Sequence, residues 1–385
     1  MRLGGRGVYQ LSEELIMLRD IVRRLAAEKI APRAQEIDAT GEFPWDIKEL
    51  LAKQELLGLT IPTEYGGSGA GEIALCVVVE EIAKVCASSS LIVAVQTLGA
   101  LPIVLAGSVG QKRRYLPKLA SGEHLAAFAL TEPSGGSDAA SMNTRAERLG
   151  DEYVLNGGKI FITNGGVANI YSVFAATDQG RRSRGISAYV VEKDRPGFRI
   201  GKVEDKMGIR GSKTTELIFD DCRVPASNLL GQEGDGFKIA MASLDRSRPG
   251  IGAQAVGLAQ GATDLAVQWA KQRVLFGSPI ANLQGIQFML ADMETHTAAA
   301  RELVYKAATL VDLEDAEMTK YSAMAKMFAA DVAMRVTTDA LQVLGGPGYM
   351  RDLPLERMMR DAKITQIYEG TNQIQRLIVA RNMLK

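Results

Sequence analysis

The chain has 385 residues, 46% of them apolar and 23% charged, which is the make-up of a soluble globular protein of two or three domains. Lys and Arg number 45 against 45 Asp and Glu, so no basic surplus exists to draw a nucleic-acid backbone. Three cysteines (Cys76, Cys86, Cys222) without C-x-x-C spacing exclude a disulfide framework and a zinc ribbon, and suit a reducing compartment, the cytoplasm. Two histidines, His124 and His296, leave little room for metal-hydrolase or Ser-His-Asp chemistry.

The N-terminal segment lacks the apolar core of an export signal. The longest apolar runs, Leu91 to Val95 and Ala100 to Ala106, fall short of the roughly 20 residues that span a bilayer. Ser12 predicts a helix cap, with Glu13 and Glu14 in the first turn. Leu15, Leu18, Val22 and Leu25 keep helical spacing until Pro32. Helical stretches follow from Pro44 to Leu57 and from Glu72 to Gly107, separated by a turn at Pro62 to Gly67.

Near residue 124 the texture changes to short β-branched or aromatic segments. These are Tyr153 to Asn156, Lys159 to Thr163, Tyr171 to Ala176, Ile186 to Glu192 and Thr215 to Phe219. The spacing predicts a small antiparallel barrel or sandwich rather than parallel βαβ units. After about Gly236 long helices return, with breaks expected near Pro249, Gly277-Ser278-Pro279 and Gly345-Gly346-Pro347-Gly348. The chain therefore reads as α+β, with a helical domain at 1–123, a β domain at 124–235 and a helical domain at 236–385.

No G-x-G-x-x-G lies between a strand and a helix, and no Walker A sequence is present, so the Rossmann and P-loop readings fail. His296, with Glu294 and Asp292, reads as a surface face of a helix. Three other stretches carry chemistry. Phe128 to Asp138 (FALTEPSGGSD) offers hydroxyls and glycine amides to a polar planar ligand or a pyrophosphate, or is a plain capped loop. Phe161 to Gly166 (FITNGG) is a strand entering an Asn-Gly turn, an ordinary hairpin or a ligand wall. In Arg360 to Gln373, Thr371 predicts the cap of a last helix with Ile374, Leu377 and Ile378 on its apolar face. Glu369 then sits in a turn ahead of that helix, either favoured by its dipole or catalytic.

Together these stretches resemble the acyl-CoA dehydrogenase family over nearly the whole chain. The T-E-P-x-x-G-S-D block and the I-Y-E-G-T-x-Q-I-Q-R block carry most of the likeness. The resemblance implies an N-terminal α domain, a middle antiparallel β domain and a C-terminal four-helix bundle. It also implies a homotetramer with one FAD per subunit. By position, Phe128, Leu130, Thr131, Ser137, Phe161 and Thr163 would line the flavin, with Ser137 between cofactor and thioester. Arg273, Phe276 and Gln284 would reach a neighbouring subunit's FAD, and Gln342, Gly345 and Gly346 its adenosine half. Thr371 and Gln373 would also touch the cofactor. Leu275 stands where family members carry a polar residue, which removes one hydrogen bond to FAD.

Removing hydrogen from the α and β carbons of a saturated acyl-CoA requires a base and an acceptor. The resemblance places the base at Glu369, because Ser247 fills the alternative position in Leu244-Asp245-Arg246-Ser247-Arg248. Asp245, Arg248 and Gly370 would face the acyl-CoA, and the product would be a trans-2-enoyl-CoA. Electron-transferring flavoprotein is the implied electron acceptor. The implied acyl pocket at Ser88 to Ile103 is apolar apart from Gln96 and holds no arginine for a second carboxylate, which argues against a glutaryl-type substrate, while a base in Y-E-G suits straight short or medium chains. A flavin oxidase on the same fold and a non-catalytic helical module are the rival readings.

Overall fold

The computed structural model describes residues 11–385. The first ten residues, which make up most of the segment judged to lack an export signal, lie outside the described residues. Ser12 caps α1 (Glu13–Leu25) by accepting the Leu15 amide at 3.3 Å, and Val22 is buried beneath it. The path continues through a π turn (Ala26–Ile30) and a 3-10 turn (Ala31–Arg33). Pro32 falls in that second turn, where the donor it lacks is not required. α2 (Ala34–Thr40) and α3 (Trp45–Lys53) follow.

The stretch expected as one helix from Glu72 to Gly107 is two, α4 (Gly71–Ala83) and α5 (Ala87–Ala106). Between them Cys86 is extended, and Arg357 from the far end of the chain donates to the Val85 carbonyl at 3.0 Å. Contrary to the expectation from unbroken apolar runs, α5 has 20 residues and is apolar enough to cross a membrane by length and composition, with Gln96 and Thr97 interrupting it. It is 83% buried inside the protein, as a core helix is. Gln96 does not line a pocket. Its amide donates to the Leu119 and His124 carbonyls at 2.8 and 2.9 Å and accepts from Ala126 N at 2.9 Å. That one side chain ties α5 to the end of α6 (Val109–Ala120) and to the first strand.

The strands are β1 (Ala126–Ala129), β2 (Arg145–Leu149), β3 (Glu152–Thr163), β4 (Ile170–Ala176), β5 (Ile186–Glu192), β6 (Phe198–Val203), β7 (Thr214–Pro225) and β8 (Leu229–Leu230). Their order is β6-β7-β3-β2-β4-β5-β8, with β1 beside β4. The sheet is mixed rather than wholly antiparallel, since β1 and β2 both run parallel to β4. Nor is Phe161 to Gly166 a hairpin, because β3 pairs with β2 and β7. The buried Asn164 side chain donates to the Ala126 carbonyl at 3.0 Å, which carries the chain across to β4 instead.

The C-terminal part holds α7 (Gly236–Gln272), the short hairpin β9 (Val274–Leu275) and β10 (Ser278–Pro279), α8 (Gln284–Asp312), α9 (Met318–Leu344), α10 (Gly346–Tyr349), α11 (Leu355–Thr365) and α12 (Asn372–Met383). α7, α8, α9 and the α11–α12 pair form the bundle. Contrary to expectation, α7 runs through Pro249 unbroken. Ser247 to Ala259 are buried on every turn, so packing holds the helix against the one lost hydrogen bond. Gly257 and Gly261 let α4 approach closely. A Cβ there would lie 2.4 Å from the Glu80 carbonyl oxygen and 2.1 Å from that of Lys84. α12 also departs from its expected pattern: Leu377 is 49% exposed, whereas Asn372 and Gln375 are buried, because the helix docks through polar groups.

Replacing Gln96 by Leu removes the partner of the buried Ala126 amide and of the half-buried His124 carbonyl, each worth roughly 1–3 kcal/mol when unpaired, while the Leu119 carbonyl keeps the Gly122 amide at 3.3 Å. Gln96→Leu is expected to lose at least about 2 kcal/mol, seen as a lower urea midpoint at unchanged slope. A midpoint within error of wild type would remove this role.

Candidate active site

The turn between α11 and α12 carries Glu369 and Gly370 at φ 52° and 91°, two left-handed residues in succession. Gly370 takes this conformation freely, but a glutamate does so only when its surroundings impose it. The imposing groups are plain. Gln375 Nε2 donates to the Glu369 and Gly370 carbonyls at 3.1 and 2.9 Å. Lys326 Nζ, from α9, donates to the Gly370 carbonyl at 2.8 Å and to Asn372 Oδ1 at 3.1 Å. Thr371 caps α12 as predicted, accepting the Ile374 amide at 3.3 Å. On the other side Tyr368 donates its hydroxyl proton to Gln254, whose amide donates to the Ala87 carbonyl and Ser90 Oγ, each at 3.1 Å.

The Glu369 side chain turns toward α7, where Ser247 Oγ donates to Oε2 at 2.7 Å. Burial raises this carboxyl above the usual glutamate range, while Ser247, Arg248 and Lys326 pull it back. Arg248 is 2% exposed and pairs with Asp245, which also accepts from Thr319 Oγ1 at 2.7 Å. The expected substrate-facing pair is thus locked together within α7, with Arg248 acting electrostatically on Glu369. Glu72, buried on α4, lies by Gly250, one turn along α7 from Ser247. Burial, then Asp312 and Glu369, push its carboxyl well up, so it is held toward its neutral form.

The second half of the site is a sheet edge. Ile160 N donates to the Thr131 carbonyl at 2.9 Å, which sets the end of β1 beside β3. Thr131 and Thr163 are half-buried there, and Leu130 is buried. Phe128 is half-buried with its ring 4.9 Å from that of Phe174. Phe161 stands at φ 57° and 59% exposed, and Ser137 is exposed on the loop beyond. Behind this edge Glu132 and Lys159 form a buried ion pair at 2.7 Å. Burial draws the Lys159 ammonium down to about 8 against the pull of Glu132. Glu132 is raised by burial, yet Lys159 and the groups of Thr144 and Asn143 hold it below its usual value. One apolar cluster joins Leu130 to Leu244 on α7, a turn before Arg248, so the edge and the carboxylate belong to neighbouring walls.

The remaining predicted residues are not gathered here by the chain itself. Arg273, Phe276, Gln284, Gln342, Gly345 and Gly346 are all exposed around β9–β10 and the end of α9, and Gln373 is exposed on α12. Phe276 is 91% exposed at φ 53°. Sequence reasoning missed Lys326, Gln375, Gln254, Glu72 and the Glu132–Lys159 pair. A signal did exist for Lys326, a single cation among small and apolar residues in Ala323-Met324-Ala325-Lys326-Met327-Phe328-Ala329-Ala330. Among the described residues no cluster of His, Cys, Asp and Glu could hold a metal.

Residues 12–123, 127–222 and 234–384 match the N-terminal, middle and C-terminal domains of acyl-CoA dehydrogenase. An acyl-CoA dehydrogenase of Bacillus subtilis is 52% identical over 377 residues, covering 97% of this chain and 99% of its own. Two solved structures superpose with TM-score 0.96 and cover 98% of this chain and 100% of theirs. One is butyryl-CoA dehydrogenase of Megasphaera elsdenii, 44% identical. The other, 47% identical, is a chain described with the electron transferring flavoprotein of Acidaminococcus fermentans and flavin-based electron bifurcation. The chain belongs to the acyl-CoA dehydrogenase family, whose members depend on FAD. The residues here suit that group: Phe161 presents an aromatic face that no atom of its own chain covers fully, next to threonine hydroxyls and an apolar strand end.

A carboxyl whose pKa is raised by folding stabilises the protein below its ordinary value of 4.5, and that contribution is lost as pH climbs through the raised one. Glu369→Gln, neutral throughout, is expected to melt above wild type at about pH 8 and to converge with it toward about pH 5. Equal melting temperatures across this range would contradict the buried, strained carboxylate.

Proposed function

We propose that the enzyme converts a straight short- or medium-chain acyl-CoA to the trans-2-enoyl-CoA, with Glu369 as the base that takes the α-proton. The observation that carries this is the Glu369 carboxylate: half-buried and hydrogen-bonded at 2.7 Å by Ser247 on α7, the helix whose Leu244 shares an apolar cluster with Leu130 at the sheet edge. A shielded carboxylate with its pKa raised from 4.5 is a stronger base than one in water. Ser247 and the cations Arg248 and Lys326 keep enough of it ionised to act. The Glu369 amide and Gly370 would hold the thioester carbonyl oxygen, stabilising enolate character as the α-proton leaves.

FAD, when bound, supplies the acceptor for the hydrogen and electron pair leaving the β carbon. Phe128, Leu130, Thr131, Ser137, Phe161 and Thr163 would hold it from this chain. Arg273, Phe276, Gln284, Gln342, Gly345 and Gly346 would hold that of a neighbour in a homotetramer, and their exposure on the single chain supports the arrangement. Thr371 and Gln373 would complete the contact. Electron-transferring flavoprotein is the proposed acceptor, in keeping with the relative from Acidaminococcus fermentans. Three buried free thiols fit a reducing cytoplasm. The butyryl-CoA dehydrogenase relative favours short straight chains.

The test is anaerobic mixing of the FAD-loaded enzyme with acyl-CoAs from C4 to C16, branched and dicarboxylic ones included. Bleaching by short straight chains is expected, slowed in Glu369→Gln by at least about 10³-fold. Bleaching that survives the substitution would move the base elsewhere. A flavin that no thioester reduces would defeat the reading, and rapid reoxidation in air would favour an oxidase.

A further inference from the structure

Lys326 lies on α9 with no exposed surface, and among the described residues no carboxylate comes within ion-pair distance of its ammonium. Its hydrogen bonds run to the Gly370 carbonyl at 2.8 Å and Asn372 Oδ1 at 3.1 Å, both neutral acceptors. A buried ammonium left without a facing charge is among the costliest groups a core can hold. If the turn needed only a donor, a neutral side chain would do, and one is already there. Gln375, from α12, donates to the same Gly370 carbonyl at 2.9 Å. What lysine adds beyond a second donor is its charge.

We propose that Lys326 is a positioning residue for the base, fixing the left-handed Glu369–Gly370 turn through the Gly370 carbonyl and supplying the positive charge that keeps the Glu369 carboxylate ionised away from water. The inference rests on Glu369 being the base. The geometry supports it first: the ammonium is bonded at 2.8 Å to the carbonyl of Gly370, the residue next to Glu369, and the charges around it agree. Burial draws Lys326 down to about 7, and Glu369 is the strongest group acting in the opposite sense. Arg248 on α7 repels it, but Arg248 is itself paired with Asp245. Asp331 on α9 attracts it more weakly and is already engaged by Gln366, Asn372 and Arg376. Glu72, from α4, is held toward neutrality and offers no rival anion.

Three variants of the full-length, FAD-loaded enzyme separate the two parts of this role. Lys326→Met removes donor and charge, Lys326→Gln restores a donor alone, and Lys326→Arg restores both. The first readout is the ionisation of Glu369 itself, followed as the infrared carboxyl band that vanishes in Glu369→Gln. Its midpoint is expected to rise by about one pH unit or more in both Met and Gln variants, and to return toward wild type with Arg. Single-turnover bleaching by butyryl-CoA should fall about tenfold near neutrality, its acid limb moving up in step. Thioester affinity should stay within about threefold in the Gln variant, which keeps the bond to the Gly370 carbonyl and so the turn that faces the thioester. Unmoved midpoints in Met and Gln would make the lysine a structural plug and overturn the proposal. Full recovery of the midpoint by Gln would overturn its electrostatic part. Should the Met variant not fold, the Gln variant, which keeps the hydrogen bond, still decides. Bleaching by Glu369→Gln at the wild-type rate would instead defeat the choice of base, while the infrared midpoint would still report on Lys326.

Discussion

A carboxylate held half-buried against α7 and α9, the base in the proposed reaction, is the constraint on which this structure turns. Burial alone pushes Glu369 toward its protonated form, in which it is useless as a base. Three groups from two helices oppose that pull: the Ser247 hydroxyl and the Arg248 guanidinium from α7, and the Lys326 ammonium from α9. Each is itself buried, and each depends on α7 and α9 lying side by side with α12 docked on them. The polar underside of α12 follows from the same demand. Asn372 and Gln375 are buried there because the turn they brace must hold two left-handed residues in succession.

The sheet answers a different need, which is to hold a flat apolar edge at a fixed place relative to that carboxylate. Glu132 and Lys159 lock β1's extension to β3 from behind, with two backbone amides completing the carboxylate's shell. A buried ion pair of this kind adds little net stability, but losing one partner leaves the other stranded, so it fixes register firmly. The Leu130–Leu244 cluster then transmits that register to α7. The close approach of α4 at Gly257 and Gly261 fixes α7 from its other side. A helix gripped on both faces tolerates a proline at 249 that would otherwise bend it.

Local rules made much of this legible. The caps at Ser12 and Thr371, the strand segments and the glutamate in a turn ahead of a helix all follow from side chains acting on nearby backbone. What escaped depends on distant partners. Pro249 was read as a break because its helix is held by residues more than 50 positions away. Gln96 looked like a pocket residue, yet its three hydrogen bonds go to backbone in α6, β1 and the loop between them. Phe161, Phe276 and Glu369 all adopt positive φ, and none carries a turn signature such as Asn or Gly. Strain of that kind costs roughly 1–3 kcal/mol per residue and is invisible in a sequence, because surrounding structure imposes it.

These strained residues also explain why the proposed site is divided between copies. Phe161 and Phe276 are both large aromatics held exposed in left-handed backbone, on opposite parts of one chain. Exposing either in a lone protomer wastes apolar area, and keeping both in strained conformations adds to the loss. In the proposed homotetramer the two demands answer each other. Two-fold symmetry would bring the exposed Phe276 hairpin of one protomer against its neighbour, and the reverse contact would follow without any new residue. A bound FAD and a neighbouring protomer would each cover one of these exposed rings. The base needs no such help, since Ser247, Arg248 and Lys326 all come from its own chain. In the proposed assembly proton chemistry would be complete within one protomer and cofactor binding shared between two.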